Sequence, residues 1–400
     1  MWDTLVRHRA FRRLCIAATV DAIGTWLLVT AVSVHVYAVT GSATSTALAL
    51  AVQALPAVVV GPWAGALVDR WPRRIVLVVA NTVAAAGVCA LLDDRLIYAG
   101  LVVESVAGCF LRPAFQATIP AIVPDETDRA SANALLAVSQ SVLRLTAPLA
   151  GTFLTTAGWF AAVVVADAVS YLGAATILAT LSIPDPARSA SALAGELRAG
   201  WRLVVRTRLL RGMLAASCVY WTANAALTAL LVPFVAHRLH AGGQAVGYLV
   251  TGLGAGYLCG SAISRTILVR FSARTHLAVS YALVGGCFLV MFTTTGLPVA
   301  IVAVSAAGIP GAMANVATTH HAQTAAPPEA RGRVSAAFVT SDAVAAVTGA
   351  LAAPLVVAAT GLPAALIILS TLVLAAAAIA AVALPAGRPN PNQPPGGRPN

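Results

Sequence analysis

The chain has 400 residues, of which 59% are hydrophobic and only 10% are charged. Soluble domains average about 25% charged residues, so this composition excludes an ordinary soluble fold and indicates a polytopic membrane protein. All 25 basic residues are arginine, and against 14 acidic residues they give a net charge of +11. In so apolar a chain this excess is typical of an orientation signal in membrane loops, and nucleic acid is not an expected partner.

Apolar runs of helical length recur along the whole chain. The first run is too long for the apolar core of a cleaved signal peptide, and further runs follow it. Strands of a membrane barrel would be nearer ten residues and would alternate in polarity, so the spans are predicted to be helices of roughly 20 residues. The twelve predicted spans cover residues 14–39, 44–68, 75–92, 96–122, 134–158, 159–182, 209–235, 245–268, 276–296, 298–319, 334–359 and 362–385.

The spans divide into two halves, which predicts an all-α membrane protein with six helices in each half. The first half is 1–182 and the second is 209–385, joined by a cytoplasmic linker at 183–208. Within the linker, leucine, tryptophan and valine recur at helical intervals beside arginines, which predicts an amphipathic helix on the inner leaflet. The tail at 386–400 is rich in Pro, Gly, Asn and Arg, and this composition predicts disorder.

Matching landmarks relate the two halves. Ala147-Pro148-Leu149 in the fifth span recurs as Ala353-Pro354-Leu355 in the eleventh. Arg-x-Ser-Ala precedes both spans, with its serines at Ser131 and Ser335. Internal repeats of this kind are typical of transporters, in which the substrate site lies between the repeats.

The arginines predict the orientation of the chain. With the N-terminus in the cytoplasm, 21 arginines fall in cytoplasmic segments, and only Arg95 and Arg238 fall outside. Arg112 and Arg144 lie within spans. Because a miscounted span would scramble this alternation, the pattern predicts twelve spans with both termini in the cytoplasm.

The loop between the second and third spans carries the most specific motif. It reads G-A-L-V-D-R-W-P-R-R and contains Gly65, Asp69, Arg70, Arg73 and Arg74. The loop resembles the G-x-L-x-D-R-x-G-R-R motif of the major facilitator superfamily, with proline in place of the last glycine. Shorter landmarks along nearly the whole chain, such as F-R-R-L at 11–14 and R-G-R-V at 331–334, are similar to the branch that contains bacterial siderophore and drug exporters, including enterobactin exporters.

This resemblance implies a multi-pass transporter of the bacterial cell membrane that works without a cofactor and as a monomer. Its partners would be a small-molecule substrate, protons and the lipid bilayer. By analogy with the family, Asp69 would act as a cytoplasmic latch at the N-terminus of the eleventh span, near Val334. In the fifth span, Pro148 and Gly151 are similar to the G-P-x-x-G antiporter motif, but its first glycine is lost, and the arginine motif of the fourth span is absent.

Six charged residues lie well inside the predicted spans, where each costs at least about 2.5 kcal/mol unless it has a partner or a wet cavity. Depth estimates from the helical rise place one acid and two arginines in a shared layer, so they are expected either to form a functional cluster or to be a static ion pair. Glu104 has no evident basic partner and is a candidate proton carrier or a polar residue near the rim. Asp167 favours a structural role, and Asp342 fits either a domain contact or proton handling. The six residues are Asp21, Glu104, Arg112, Arg144, Asp167 and Asp342.

Polar and aromatic residues on the first, seventh and tenth spans are candidates for the wall of an amphiphilic cavity, although each alone is more often a packing residue. The leading function is proton-coupled efflux of a drug, siderophore or secondary metabolite. An uptake symporter and a membrane sensor that does not transport are the alternatives. The six cysteines are dispersed, no metal site is expected, and no motif of an enzyme or of an ATP-binding loop is present. The cavity candidates are Trp26, Trp221, Asn224, Met313 and Asn315.

The latch generates the first prediction. Asp69→Asn keeps the size of the side chain but removes the charge that would favour a helix N-terminus. We expect near-normal membrane insertion and greatly reduced transport of any compound that the wild-type protein moves. Asp185→Asn, a charge change in the linker, is the matched control. Wild-type transport rates for Asp69→Asn would refute the latch.

Overall fold

The computed structural model describes residues 9–68, 70–123, 125–183, 193–268, 271–327 and 330–385. Asp69 and the 386–400 tail, for which a latch and disorder are predicted, lie outside these ranges. All of the regular structure in the described ranges is helical. The helices are α1 (Arg9–Thr40), α2 (Ala43–Val59), α3 (Gly61–Val68), α4 (Arg73–Cys89, extended by a 3₁₀ turn at Ala90–Leu92), α5 (Ile97–Ile122), α6 (Glu126–Thr156), α7 (Phe160–Ala179), α8 (Leu193–Arg206), α9 (Arg208–Ala229), α10 (Leu231–His237), α11 (Gln244–Leu268), α12 (Ala273–Thr293), α13 (Leu297–Ala325), α14 (Arg331–Thr360) and α15 (Leu362–Ala383).

The all-helical membrane architecture predicted from the sequence is confirmed. Within the described residues, ten helices are long and apolar enough to cross a membrane. Helices α9 and α10 together pass the same test as one span bent by 44°, and α2 is a shorter apolar helix of 17 residues. Each of the twelve predicted apolar runs therefore contains helix. The count of twelve spans and the cytoplasmic termini stay predictions.

Local sequence signals fix several helix starts. The side chain of Ser42 accepts a hydrogen bond from the backbone N–H of Ser45 at the start of α2. Asp125 does the same for Asp128 at the start of α6, and Ser272 for Thr275 at the start of α12. Such caps satisfy backbone donors that have no partner within the helix. The cap formed by Asp125 explains why an acidic cluster precedes the fifth predicted span.

The chain divides into two compact units. One comprises Met1–Ser191 together with His240–Thr251, and the other comprises Ala192–Leu239 together with Gly252–Asn400. Helix α8, which the sequence predicts as an amphipathic linker helix, belongs to the second unit. It packs closely on α14 at Gly200, where any side chain would collide with the backbone of Arg333.

The two units pair their helices in the same way. In the first unit α1 packs on α6 and α7, and α4 packs on α5 and α7. In the second unit α9 packs on α14 and α15, and α12 packs on α13 and α15. The correspondence relates α1 to α9, α4 to α12, and α5–α7 to α13–α15, which is the repeat that the proline landmarks of α6 and α14 indicate.

Glycines mark equivalent positions of this repeat. Gly158 between α6 and α7 and Gly361 between α14 and α15 adopt positive φ angles of 87° and 79°, a conformation that costs a residue with a side chain about 1–2 kcal/mol. Gly151 of α6 lies against the backbone of Leu27 on α1, and Gly349 of α14 lies against the backbone of Thr222 on α9. In both halves the backbones therefore approach closely at equivalent helix pairs, α1 with α6 and α9 with α14.

The second prediction follows from this close approach. Gly349→Val places a side chain against the carbonyl group of Thr222, which cannot move aside without shifting α9. We expect a loss of about 1–3 kcal/mol of stability, measured as a lower thermal midpoint of the purified protein. Gly286→Val in α12 is the control, because a side chain there meets nothing within 4 Å. Equal midpoints for the two variants would show that the helices tolerate separation.

Candidate functional site

Three acidic residues from three helices of the first unit lie in one group. Asp21 is on α1, Glu104 on α5 and Asp167 on α7, and they are close enough to interact electrostatically. The side chain of Asp167 is only 1% exposed. Oδ1 of Asp21 is buried and has no hydrogen-bond partner among the described residues. We call these three residues the carboxyl cluster.

Hydroxyl groups link one member of the carboxyl cluster, Glu104, to the two helices that carry the other members. The phenol of Tyr171 on α7 donates to Oε1 of Glu104 at 3.2 Å, and Ser105 donates to the other carboxyl oxygen at 3.4 Å. The same phenol oxygen lies 3.2 Å from the hydroxyl oxygen of Thr25 on α1. Since Tyr171 is 3% exposed, the Glu104–Tyr171–Thr25 chain links α5, α7 and α1 through buried polar groups.

Gly24 explains why Asp167 can lie against α1. A side chain at position 24 would collide with the carboxyl group of Asp167 and the hydroxyl group of Ser170. The Ser170 hydroxyl donates to the backbone oxygen of Asp167 at 2.8 Å and lies 3.3 Å from its Oδ1. The close contact of α1 and α7 therefore brings this carboxyl group into the cluster, although the sequence favours a structural role for it.

The predicted pairing of Asp21 with Arg112 or Arg144 is not found in the described chain. Arg112 is exposed and follows Glu104 by two helical turns, so it acts on that carboxyl group only electrostatically. The guanidinium of Arg144 lies over the ring of Trp26, 5.5 Å from its centre, an arrangement that attracts a cation. The shared layer of Asp21, Arg112 and Arg144 stays a prediction.

Two landmarks of α6 serve its contact with α1. The backbone oxygen of Pro148 accepts hydrogen bonds from Thr30 at 3.2 Å and from Thr152 at 3.0 Å. Gly151, one turn later, provides the close approach to Leu27. In this structure both residues therefore position α6 beside the helix that carries Asp21.

A second polar site lies within the second unit. The hydroxyl group of Ser217 on α9 donates to Oδ1 of Asp342 on α14 at 2.7 Å. Trp221 also contributes a hydrogen bond to Asp342. Tyr220 and Tyr281 stack with ring centres 4.9 Å apart. These residues, with Tyr257, Asn315 and Thr318, line a small cavity of about 20 Å³.

The five predicted cavity residues are dispersed. Trp221 and Asn315 line the cavity beside Asp342. Trp26 is in the first unit, where its indole N–H donates to Gln140 at 3.2 Å. Asn224 and Met313 are half-buried and are not among the residues that line this cavity.

The loop motif is only partly described. Gly65 lies on α3 with open space around it. Arg70 and Arg74 are exposed, while Nε of Arg73 is buried without a hydrogen-bond partner among the described residues. Because Asp69 is outside those residues, the latch stays a prediction.

Sequence reasoning missed the hydroxyl partners of the acids. Thr25 follows Asp21 by four residues, and Tyr171 follows Asp167 by four residues, so each shares a helical face with an acid. Ser217 had no such signal, because Asp342, to which it donates, is on another helix. A search for hydroxyl groups one turn from each membrane acid would have found the first pair.

The fold and its buried acids define a polytopic helical membrane protein with an internal repeat. The sequence profile of the Major Facilitator Superfamily matches residues 14–231 and 213–399, so the chain belongs to that superfamily. An uncharacterized MFS-type transporter of Mycobacterium bovis is 43% identical over 86 residues, which are 20% of this chain and 19% of that protein. A relative from Mycobacterium tuberculosis matches equally. The chain thus aligns with about a fifth of the length of these relatives.

Solved structures of the same fold cover nearly the whole chain. The nucleoside transporter NupG matches with a TM-score of 0.77 and 12% identity over 94% of this chain and 99% of its own. A bacterial homologue of the human lysosomal transporter Spinster matches with a TM-score of 0.73 and 15% identity over 94% and 96%. A POT family transporter in complex with 5-aminolevulinic acid matches with a TM-score of 0.74 and 11% identity over 93% of this chain and 95% of its own. At these identities the likeness shows the fold alone.

The third prediction tests the hydroxyl link. Tyr171→Phe removes the hydrogen bond to Glu104 and the contact with Thr25 while keeping the ring. A hydrogen bond to a charged group contributes about 1.5–3 kcal/mol, against about 1 kcal/mol for a neutral bond. Tyr98→Phe, which loses one bond to the backbone oxygen of Ser45 at 3.3 Å, should therefore lower the thermal midpoint less. Equal losses in the two variants would contradict a bond to a carboxylate at Tyr171.

Proposed function

We propose that the chain is a secondary active transporter of the bacterial cell membrane that exports a small organic molecule in exchange for protons. It would do so with twelve spans and with both termini in the cytoplasm. The observation that carries this proposal is the carboxyl cluster: three acids on three helices, with a hydroxyl chain from Glu104 through Tyr171 to Thr25. Acids at membrane depth mark proton or substrate pathways by default.

The chemistry of the carboxyl cluster suits a proton carrier. Three like charges so close together in a medium of low dielectric constant repel one another strongly. The cluster is therefore expected to hold a proton or a cationic substrate at every stage of the cycle. A change in the charge of Glu104 also changes what Tyr171 can donate, and Tyr171 contacts the helix that carries Asp21. Protonation would in this way alter the contacts between helices, which an exchange mechanism requires.

Features in both units suit an amphiphilic substrate. In the first unit the indole ring of Trp26 is accessible to the cationic side chain of Arg144 and bonds Gln140. In the second unit aromatic rings surround Asp342 in the small cavity described above. Each half thus carries a carboxyl group beside aromatic surface. A drug, siderophore or secondary metabolite has the mixed polarity that such surfaces bind.

Export rests on the resemblance to bacterial siderophore and drug exporters. The structural relatives include a nucleoside transporter and a POT family transporter solved with 5-aminolevulinic acid, which fits small organic solutes as the substrate class. Uptake by proton symport is the second candidate, because the antiporter motif of α6 has lost its first glycine. A sensor without transport is the third, and it predicts binding without flux.

The fourth prediction tests proton coupling. Glu104→Gln removes the titratable group but keeps its shape, and the amide oxygen can still accept the hydrogen bond from Tyr171. In reconstituted vesicles with an imposed pH gradient, we expect efflux of a dye such as ethidium, or of another compound that the wild type moves, to be abolished. Exchange of the same compound at equal pH should persist, because it requires no net proton movement.

Asp93→Asn is the matched control, since Asp93 is an exposed acid in the connection between α4 and α5. It should leave both activities unchanged. Efflux by Glu104→Gln that still follows the pH gradient would place coupling elsewhere, with Asp21 as the next candidate. Accumulation driven inward with protons would favour the symporter.

A further inference from the structure

An open apolar groove runs along the outer surface of α4 and α5. It has a volume of about 470 Å³, and the side chains that line it are all apolar or aromatic. At one end the rings of Trp71 and Phe110 stack with their centres 6.4 Å apart. The residues that form its walls include Trp71, Ile75, Val79 and Val83 on the α4 side and Val106 and Phe110 on α5.

The walls of this groove expose several large apolar side chains. Ile75 is 57% exposed, Val79 is 54% exposed and Trp71 is 48% exposed. From Arg73 to Val83 the groove follows about 16 Å of helix, at 1.5 Å per residue. That length is about half the thickness of the hydrocarbon core of a bilayer, so one acyl chain of a phospholipid can lie along it.

Arginines neighbour, in the sequence, the residues that form one end of the groove. Arg70 precedes Trp71, Arg74 precedes Ile75, and both arginines are exposed. Nε of Arg73 is buried and has no acceptor among the described residues. Helix α4 also begins at Pro72 without a side-chain cap, whereas its counterpart α12 is capped by Ser272. Uncapped N–H groups at a helix start favour a phosphate.

We propose that this groove is a binding site for one anionic phospholipid, with an acyl chain between α4 and α5 and its phosphate at Arg70, Arg73 and Arg74. The site differs from the carboxyl cluster, and it does not depend on what the protein transports. A zwitterionic lipid would fill the same groove, but it would gain less from the arginines. Selection by the headgroup therefore separates a binding site from ordinary lipid contact.

The test uses the purified full chain and two probes, a phosphatidylglycerol and a phosphatidylcholine with the same acyl chains. Native mass spectrometry measures how tightly one molecule of each is retained. Each arginine near an anionic headgroup contributes about 1 kcal/mol to the binding free energy. We therefore expect the wild type to bind phosphatidylglycerol roughly tenfold or more tighter than phosphatidylcholine. Equal retention of the two lipids by the wild type would overturn the proposal.

Two pairs of variants then locate the site. Val79→Trp fills the groove and should abolish the tightly held lipid, whereas Val339→Trp, at a 69% exposed position on α14, should not. Arg70→Gln with Arg74→Gln should remove the preference for phosphatidylglycerol, whereas the same change at the exposed Arg206 and Arg208 should keep it. If Val79→Trp proves unstable, Val83→Trp blocks the same groove. The site would be refuted if Val79→Trp and Val83→Trp both still retained the lipid. It would also be refuted if the variant with Arg70→Gln and Arg74→Gln still preferred phosphatidylglycerol.

Discussion

The structure depends on one physical constraint, which is that polar groups within a hydrocarbon environment need partners inside the protein. For the backbone, helices meet this requirement, and in the described residues they account for all of the regular structure. For side chains, the requirement concentrates the acids. Asp21, Glu104 and Asp167 come from helices that are far apart in sequence, yet they share one polar region with hydroxyl groups. Asp342 meets the same requirement with Ser217.

The internal repeat provides the framework that brings these acids together. Helices α1 and α9 occupy equivalent positions, and each packs on two helices that follow it in its own unit. The carboxyl cluster lies on α1 and α7 with a third member on α5, while Asp342 lies on α14 and bonds α9. The duplicated framework thus carries a carboxyl site in each half, but on different helices. The two carboxyl sites are therefore not equivalent under the repeat.

Much of the fold was predictable because it follows from composition and period. Apolar runs of about 20 residues have one solution in a bilayer, and the repeat was visible in Pro148 and Pro354. The candidate site was less predictable, because it depends on the direction in which each side chain points. Depth along the helices predicts that Asp21 and Arg144 share a layer, but it does not predict the contact of Arg144 with the ring of Trp26. Asp167 joined the cluster because of the small size of Gly24, which the sequence does not link to it.

In the Glu104–Tyr171–Thr25 chain, the number of available protons decides which group donates each hydrogen bond and which accepts it. Each hydroxyl group has one proton, and Thr25 is within reach of two acceptors, the phenol oxygen of Tyr171 and the backbone oxygen of Asp21 at 3.1 Å. When Glu104 is ionised, Tyr171 donates to it and can only accept from Thr25. When Glu104 carries a proton, it can donate to Tyr171, whose own proton then turns toward Thr25. Thr25 is thereby left to donate to the backbone of α1. Protonation of Glu104 on α5 thus exchanges donor and acceptor in both hydrogen bonds of the chain. The hydrogen bonding of Thr25 on α1 therefore depends on the charge of Glu104.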